Sequence, residues 1–131
     1  MFIDASALIA ITGDESDRAL LAGKLAIATR ILISPVAIYE SVLGLARLRK
    51  DTLPGAGAEI TRFLEDAMVE TVPIDAKVGQ LALEAFARYG KGRHKANLNM
   101  GDCFAYACAK AHEVPLLFKG NDFRHTDIEA A

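Results

Sequence analysis

The sequence predicts an α/β fold in which a short-stranded parallel sheet is covered by helices on both faces, and three observations carry that expectation. Apolar runs at Met1–Ile3, Ile31–Ile33 and Val114–Phe118 are too short for helices, and they are continuously apolar, as strands buried on both faces are. Longer segments with apolar residues at helical spacing lie between them, which gives parallel pairing the right-handed helical crossovers it needs. The chain has 131 residues, 52% of them hydrophobic, so it is the size of one domain with ample material for a core. Residues 1–131 are read as one domain.

Met1–Ile3 reads as a strand closed by Asp4, and Ala5–Ala10 continues as a helical turn or two with Asp4 as a natural cap. Asp14–Asp17 is an acidic turn that starts a helix over Arg18–Ala28. Ile31–Ile33 is the second strand. Ser34-Pro35 then starts a helix that should run to about Lys50, serine capping and proline in the first turn. Asp51–Gly55 reads as a break, and a helix from about Gly57 to Val69 folds back to make an apolar hairpin whose surface would suit a partner helix or a dimer.

Thr71–Ile74 is a third strand that Pro73 confines to a sheet edge. Asp75 caps a helix ending near Tyr89-Gly90. A loop follows in which Arg88, Lys91, Arg93, His94 and Lys95 place five basic or potentially basic residues within eight positions, a concentrated positive patch suited to a phosphate backbone or simply to solvent. The segment Asn99 to Val114 reads as a helix, with Asn99 as cap and Asp102 in its first turn, an arrangement resembling a capping box. Val114–Phe118 is the next strand, Lys119–Asp122 turns out of it, and His125–Ile128 reads as a last short strand.

Net charge is −2, from 15 basic and 17 acidic residues, so no global field draws this chain to nucleic acid, and any such partner must be held by a local patch. No apolar run approaches the roughly 18 residues that span a bilayer, and the N-terminus has no leader pattern, which points to the cytoplasm. Cys103 and Cys108 lie on one predicted helix with Cα atoms about 8 Å apart, too far to pair. They read as small core residues.

Four acidic residues invite a shared explanation. In a parallel sheet the C-terminal strand ends and the N-terminal helix ends lie along one edge, where ligands bind. Asp4 closes the first strand, Glu40 sits in the second turn of the helix after the second strand, Asp102 in the first turn of its helix, and Asp122 just beyond a strand. All four fall on that edge although 36, 62 and 20 positions separate them. Glu40 also lacks a basic residue three or four positions away, its neighbours there being Val36, Ala37, Leu43 and Gly44.

Clustered carboxylates stay ionised only beside a cation. All-oxygen ligation favours Mg²⁺ or Mn²⁺ over Zn²⁺. Such an ion can acidify a bound water for attack on a phosphodiester and neutralise the charge that builds on the phosphoryl oxygens.

The segments Met1–Ala7, Tyr39-Glu40, Asn99–Cys103 and Leu116–Phe123 together resemble the motifs of PIN-domain ribonucleases, specifically VapC-type toxins of bacterial toxin–antitoxin pairs, in order and spacing over essentially the full length. The resemblance implies an α/β/α sandwich with a parallel sheet, and endonucleolytic RNA cleavage dependent on Mg²⁺ or Mn²⁺. It implies a dimer, and a cognate VapB-type antitoxin that blocks the site and lays an apolar helix against the hairpin. It makes Asp4 and Asp102 the direct metal ligands, Glu40 the third acidic residue, and Asp122 the fourth, a place that Asn121 or Asp127 could share. Ser6 would orient a carboxylate or a water on the substrate side, and Arg93 and Lys95 would contact the substrate.

Two rivals stand beside this reading. A small-molecule phosphohydrolase with Asp4 as nucleophile usually wants a second aspartate two residues on, where this chain has Ser6. A non-enzymatic binding module would use the hairpin as its working surface and leave the acidic residues as caps.

Overall fold

The structure, a computed structural model, describes all 131 residues. Four short strands, β1 (Phe2–Ile3), β2 (Leu32–Ile33), β3 (Glu70–Thr71) and β4 (Leu116–Leu117), form a wholly parallel sheet in the order β3-β2-β1-β4. Phe2 stands opposite Leu32 on one side and Leu116 on the other, and Leu32 opposite Glu70. The side chains of β1, β2 and β4 are buried, which explains why they read as unbroken apolar runs.

Six helices flank this sheet: α1 (Ala5–Thr12), α2 (Arg18–Ala26), α3 (Pro35–Arg49), α4 (Leu53–Asp66), α5 (Ala76–Tyr89) and α6 (Met100–Ala111). They fall into two packed groups, α1 to α4 and the α5–α6 pair, joined where α3 meets α6 and where α6 lies on β1. Side-chain caps set their starts. Asp4, Ser34, Thr52, Asp75 and Asn99 each accept a hydrogen bond from a backbone N–H in the first turn that follows. Cys103 and Cys108 are buried, unpaired core residues, as their spacing implied.

Three boundaries differ from the sequence reading. Helix α4 begins at Leu53, inside the segment read as a break, because Thr52 Oγ1 accepts from the Gly55 N–H at 3.1 Å. Pro54 in the first turn forfeits a donor that would have no helical partner anyway. Strand β3 ends at Thr71, two residues short of Pro73, and lies at the sheet edge as that proline required. Finally, Asp122–His125 is a 3₁₀ turn instead of the lead into a strand at His125–Ile128. The Thr126 hydroxyl donates to Phe123 O at 2.7 Å and accepts from the Ile128 N–H at 3.2 Å, local bonds that compete with a ladder. Only Ala130 bridges to Leu116.

Candidate active site

Strand order decides where a ligand fits. The chain runs from β1 outward to β2 and β3, then returns to the other flank of β1 with β4. The crevice beyond the C-terminal ends of β1 and β4 is therefore a topological switch point. Asp4 occupies it, only 4% exposed. Its own N–H donates to Leu117 O of β4 at 2.9 Å. Its Oδ2 accepts from the Ser6 N–H at 2.9 Å and from the Ser6 hydroxyl. That hydroxyl in turn accepts from the Lys119 N–H at 3.0 Å. Ser6 thus latches the exit of β4 to the carboxylate that ends β1. Its single proton is committed to Asp4, which makes it a positioning residue rather than a substrate contact.

Glu40 and Asp102 come together where α3 meets α6. The carboxylate of Glu40 lies directly over Gly101, so closely that a β-carbon there would overlap all three of its carboxyl atoms. No hydrogen bond or ion pair reaches Glu40 from the protein. Asp102 completes a capping box with Asn99: its N–H donates to Asn99 Oδ1 at 2.9 Å while its Oδ2 accepts from the Asn99 N–H at 3.0 Å. Only Oδ2 is used in the cap, so Oδ1 stays available.

The charges feel one another. Burial raises the pKa of Glu40 to about 7, and the charges of Asp4 and Asp102 add to the effect. Burial also lifts Asp102 to about 6, reinforced by Asp4 and Asp122 and opposed by the N–H of Asn99. Asp4 is pushed up by its burial against the pull of its bonds from Ser6. Cys103, beside Asp102, is raised to about 11 and keeps its proton at neutral pH. A cluster of this kind is costly unless a cation compensates it. No three aspartate, glutamate, histidine or cysteine side chains close into a ready coordination cage. The donor set is nonetheless all oxygen and anionic, with a glycine surface left open beside it. These features fit a hard divalent cation that retains several of its waters and takes few protein ligands.

The fourth acidic place divides three ways. Asp122 opens the 3₁₀ turn just past β4, exposed, and close enough for its charge to act on Asp102. Asn121 precedes it, also exposed. Asp127 belongs to another cluster. It accepts from Tyr106 Oη at 2.6 Å and from Tyr89 Oη at 3.2 Å, and it pairs with Lys110 at 3.2 Å.

The basic loop leaves α5 and leads through Leu98 into Asn99, so it borders the same edge. Two of its five candidates serve the fold. Arg88 stacks on Tyr89, 4.8 Å from the ring centroid, and His94 sets its ring edge-on to Tyr89 while its Nδ1 accepts from the Ala96 N–H at 3.0 Å. Lys91 and Lys95 face solvent, and Arg93 lies over Phe86 with its guanidinium carbon 5.4 Å from the ring centroid.

Sequence reasoning had no role for Gly101 or for the side chain of Lys119. Lys119 pairs with Glu15 and, at 3.7 Å, with Asp17, tying the start of α2 to the end of β4. A glycine in the first turn of a helix, beside an acidic residue, was the one signal available for the first. Nothing in the sequence marks the second.

The sequence matches the PIN domain family over residues 1–129. It is 44% identical over 136 residues to a protein named Ribonuclease VapC of Mycolicibacterium smegmatis, an alignment spanning 99% of this chain and 98% of the relative. Among solved structures it resembles VapC20 of Mycobacterium tuberculosis, described as a sarcin-ricin loop cleaving toxin, with a TM-score of 0.79 and 15% identity, covering 99% of this chain and 97% of that one. A toxin–antitoxin complex from Klebsiella pneumoniae matches with a TM-score of 0.70 and 16% identity, over 96% and 92% of the two chains. At those identities the two structures speak for the fold, the α/β/α arrangement described above. No helix is long and apolar enough to cross a membrane.

Proposed function

Because the chain belongs to the PIN domain family, we infer that it is an endoribonuclease of the VapC type, the toxin of a toxin–antitoxin pair. The observation that carries the site is the meeting of Glu40 with Gly101 beside Asp102, at the strand edge where Asp4 is buried. PIN-domain VapC ribonucleases depend on a divalent metal, and Mg²⁺ or Mn²⁺ is the ion suited to this donor set. Asp4 and Asp102 would hold it. When bound, it supplies an acidified water and neutralises charge on the phosphoryl oxygens.

The remaining steps belong to the chain. Ser6 fixes Asp4 through Oδ2. Asn99 fixes Asp102 through its own Oδ2 and leaves Oδ1 facing the cluster. Glu40, with no hydrogen bond from the protein, receives the proton of the attacking water on its carboxylate. Asp122 serves as the fourth acidic residue from the turn beyond β4, and Arg93 and Lys95 contact the RNA backbone next to the site.

The cognate partner is a VapB-type antitoxin. Leu48 and Leu53, exposed at the turn of the α3–α4 hairpin, provide apolar ground for its helix. The working unit is a homodimer in the cytoplasm, each copy one PIN-like domain.

The test is purified protein, freed of antitoxin, incubated with total bacterial RNA in Mg²⁺ or Mn²⁺ beside Asp4→Ala and EDTA controls. Cleavage abolished by both controls is expected. A folded protein that cuts no RNA would remove the enzymatic reading, and cleavage surviving both controls would belong to a contaminant.

A further inference from the structure

Two large apolar side chains stand in solvent beside the carboxylates, one from each of the helices that meet there. Tyr39 is 65% exposed and immediately precedes Glu40 on α3; Met100 is 67% exposed and opens α6 immediately before Gly101, the residue on which the Glu40 carboxylate rests. The other two tyrosines of the chain, Tyr89 and Tyr106, are buried and hydrogen-bonded to Asp127. Tyr39 has no aromatic, ionic or hydrogen-bonding partner within the protein. Scattered exposed hydrophobics are ordinary. A pair that brackets the contact between the two site helices is a different matter, because whatever reaches the carboxylates must pass it.

Building on the ribonuclease reading above, we propose that Tyr39 is a substrate-contact residue. Its ring is the platform on which one unpaired base next to the scissile phosphate stacks, with the Met100 side chain bounding the opposite side. Charge arrangement selects this occupant. Lys91, Arg93 and Lys95 lie on the loop that runs directly into Met100, so a strand whose phosphates follow the loop delivers its bases to the Tyr39–Met100 gap. A phenol ring on a capped helix loses little freedom on stacking and accepts any base, since every base has a π-face. Such a contact holds the strand in register while leaving the sequence read elsewhere.

The experiment pairs protein and RNA changes. Wild type, Tyr39→Phe and Tyr39→Ala are compared on a single-stranded RNA cut at one known bond, and on a series of the same RNA with one abasic nucleotide placed at each position around that bond. Binding is read by fluorescence anisotropy in EDTA at low salt, cleavage as kcat and KM in Mn²⁺. Tyr39→Ala is expected to weaken binding and raise KM about tenfold, whereas Tyr39→Phe stays within about twofold. One abasic position should weaken wild type by a similar factor and leave Tyr39→Ala unaffected, since the stacking partner is already gone.

Additive losses at every position would overturn the proposal, as would unchanged binding and KM in Tyr39→Ala. If sedimentation shows that Tyr39→Ala separates copies of the chain without altering the abasic pattern, the patch is a protein interface and the proposal fails. A wild type that neither binds nor cuts RNA would overturn the ribonuclease reading itself, and this inference with it. Because Tyr39 is exposed, its variants should melt close to wild type.

Discussion

Replacing Gly101 with alanine separates the folding role of that position from its role in the site. The residue lies in the first turn of α6 with ordinary helical backbone, so alanine should favour the helix by about 0.5–1 kcal/mol. In a chain of this size that raises Tm by about 2–5 °C. The new methyl, however, would lie well inside the 3.4 Å at which ordinary contact begins with Oε1, Oε2 and Cδ of Glu40. The backbone of α6 is fixed by the Asn99–Asp102 capping box, so the carboxylate has to retreat, by about 1 Å or more, and a displacement of that size at a reacting centre costs about a hundredfold in rate. The assay combines thermal melts without metal with kcat on a fluorogenic RNA in Mn²⁺. Gly79→Ala is the control, since a β-carbon there meets nothing within 4 Å. It should stabilise α5 comparably and leave kcat alone. A Gly101→Ala protein that is as stable as wild type and cleaves within twofold of it would refute the argument that Glu40 must sit there. One that loses activity together with many degrees of Tm would refute the claim that the effect is local.

Further outcomes follow from the same geometry. Glu40 and Asp102 bind protons more tightly in the folded than in the unfolded chain, with pKa values raised to about 7 and about 6. The metal-free native state therefore carries excess protons between about pH 4 and 7, and stability should fall as pH rises through that window, by about 2 kcal/mol after discounting for solvent screening. Melts in EDTA from pH 5 to 8 check this, and a flat or rising profile contradicts it. Added Mn²⁺ should stabilise wild type more at pH 8 than at pH 5, and Asp102→Asn less than wild type at pH 8. Asp127→Asn should lower Tm by loosening the Tyr89, Tyr106 and Lys110 contacts while sparing cleavage, and Asp122→Asn should do the reverse. Exchange of those two phenotypes would move the fourth acidic place to Asp127. Replacing Arg93 and Lys95 together with alanine should flatten the salt dependence of single-stranded RNA binding by up to about 1.4 in logarithmic slope, metal-dependent stabilisation being unchanged.

What the sequence disclosed and what it withheld divide along physical lines. Strand runs, caps and the proline at the edge strand are local signals, and the structure keeps them: Asp4, Ser34, Asp75 and Asn99 all cap the helices expected of them. Thr52-Leu53-Pro54-Gly55 misled because proline and glycine mark a helix start and a chain break alike. The alignment of four carboxylates on one edge was legible because parallel topology fixes it without any side-chain detail. The bonds made by those residues were not legible. Asp127 is held by groups 38, 21 and 17 positions away, and no local pattern announces that its carboxylate is already engaged. Gly101 likewise looks like an ordinary small residue until the Glu40 carboxylate, from another helix, is seen resting on it. Nor does the sequence show which of two adjacent residues on α3, Tyr39 or Glu40, turns toward solvent.

The latch through Ser6 sets a schedule for biosynthesis. Its hydroxyl joins Asp4 to the backbone of a residue 113 positions later, and the strand carrying that residue is the last of the four to be made. Pairing of β4 with β1 closes the longest loop in the sheet, a slow step among non-local contacts. A ribosome that has delivered the first hundred residues has thus produced the strand, the helix and the acidic side chain, but not the donor that locks them. The nuclease is armed at the end of translation, when release of the chain lets β4 dock.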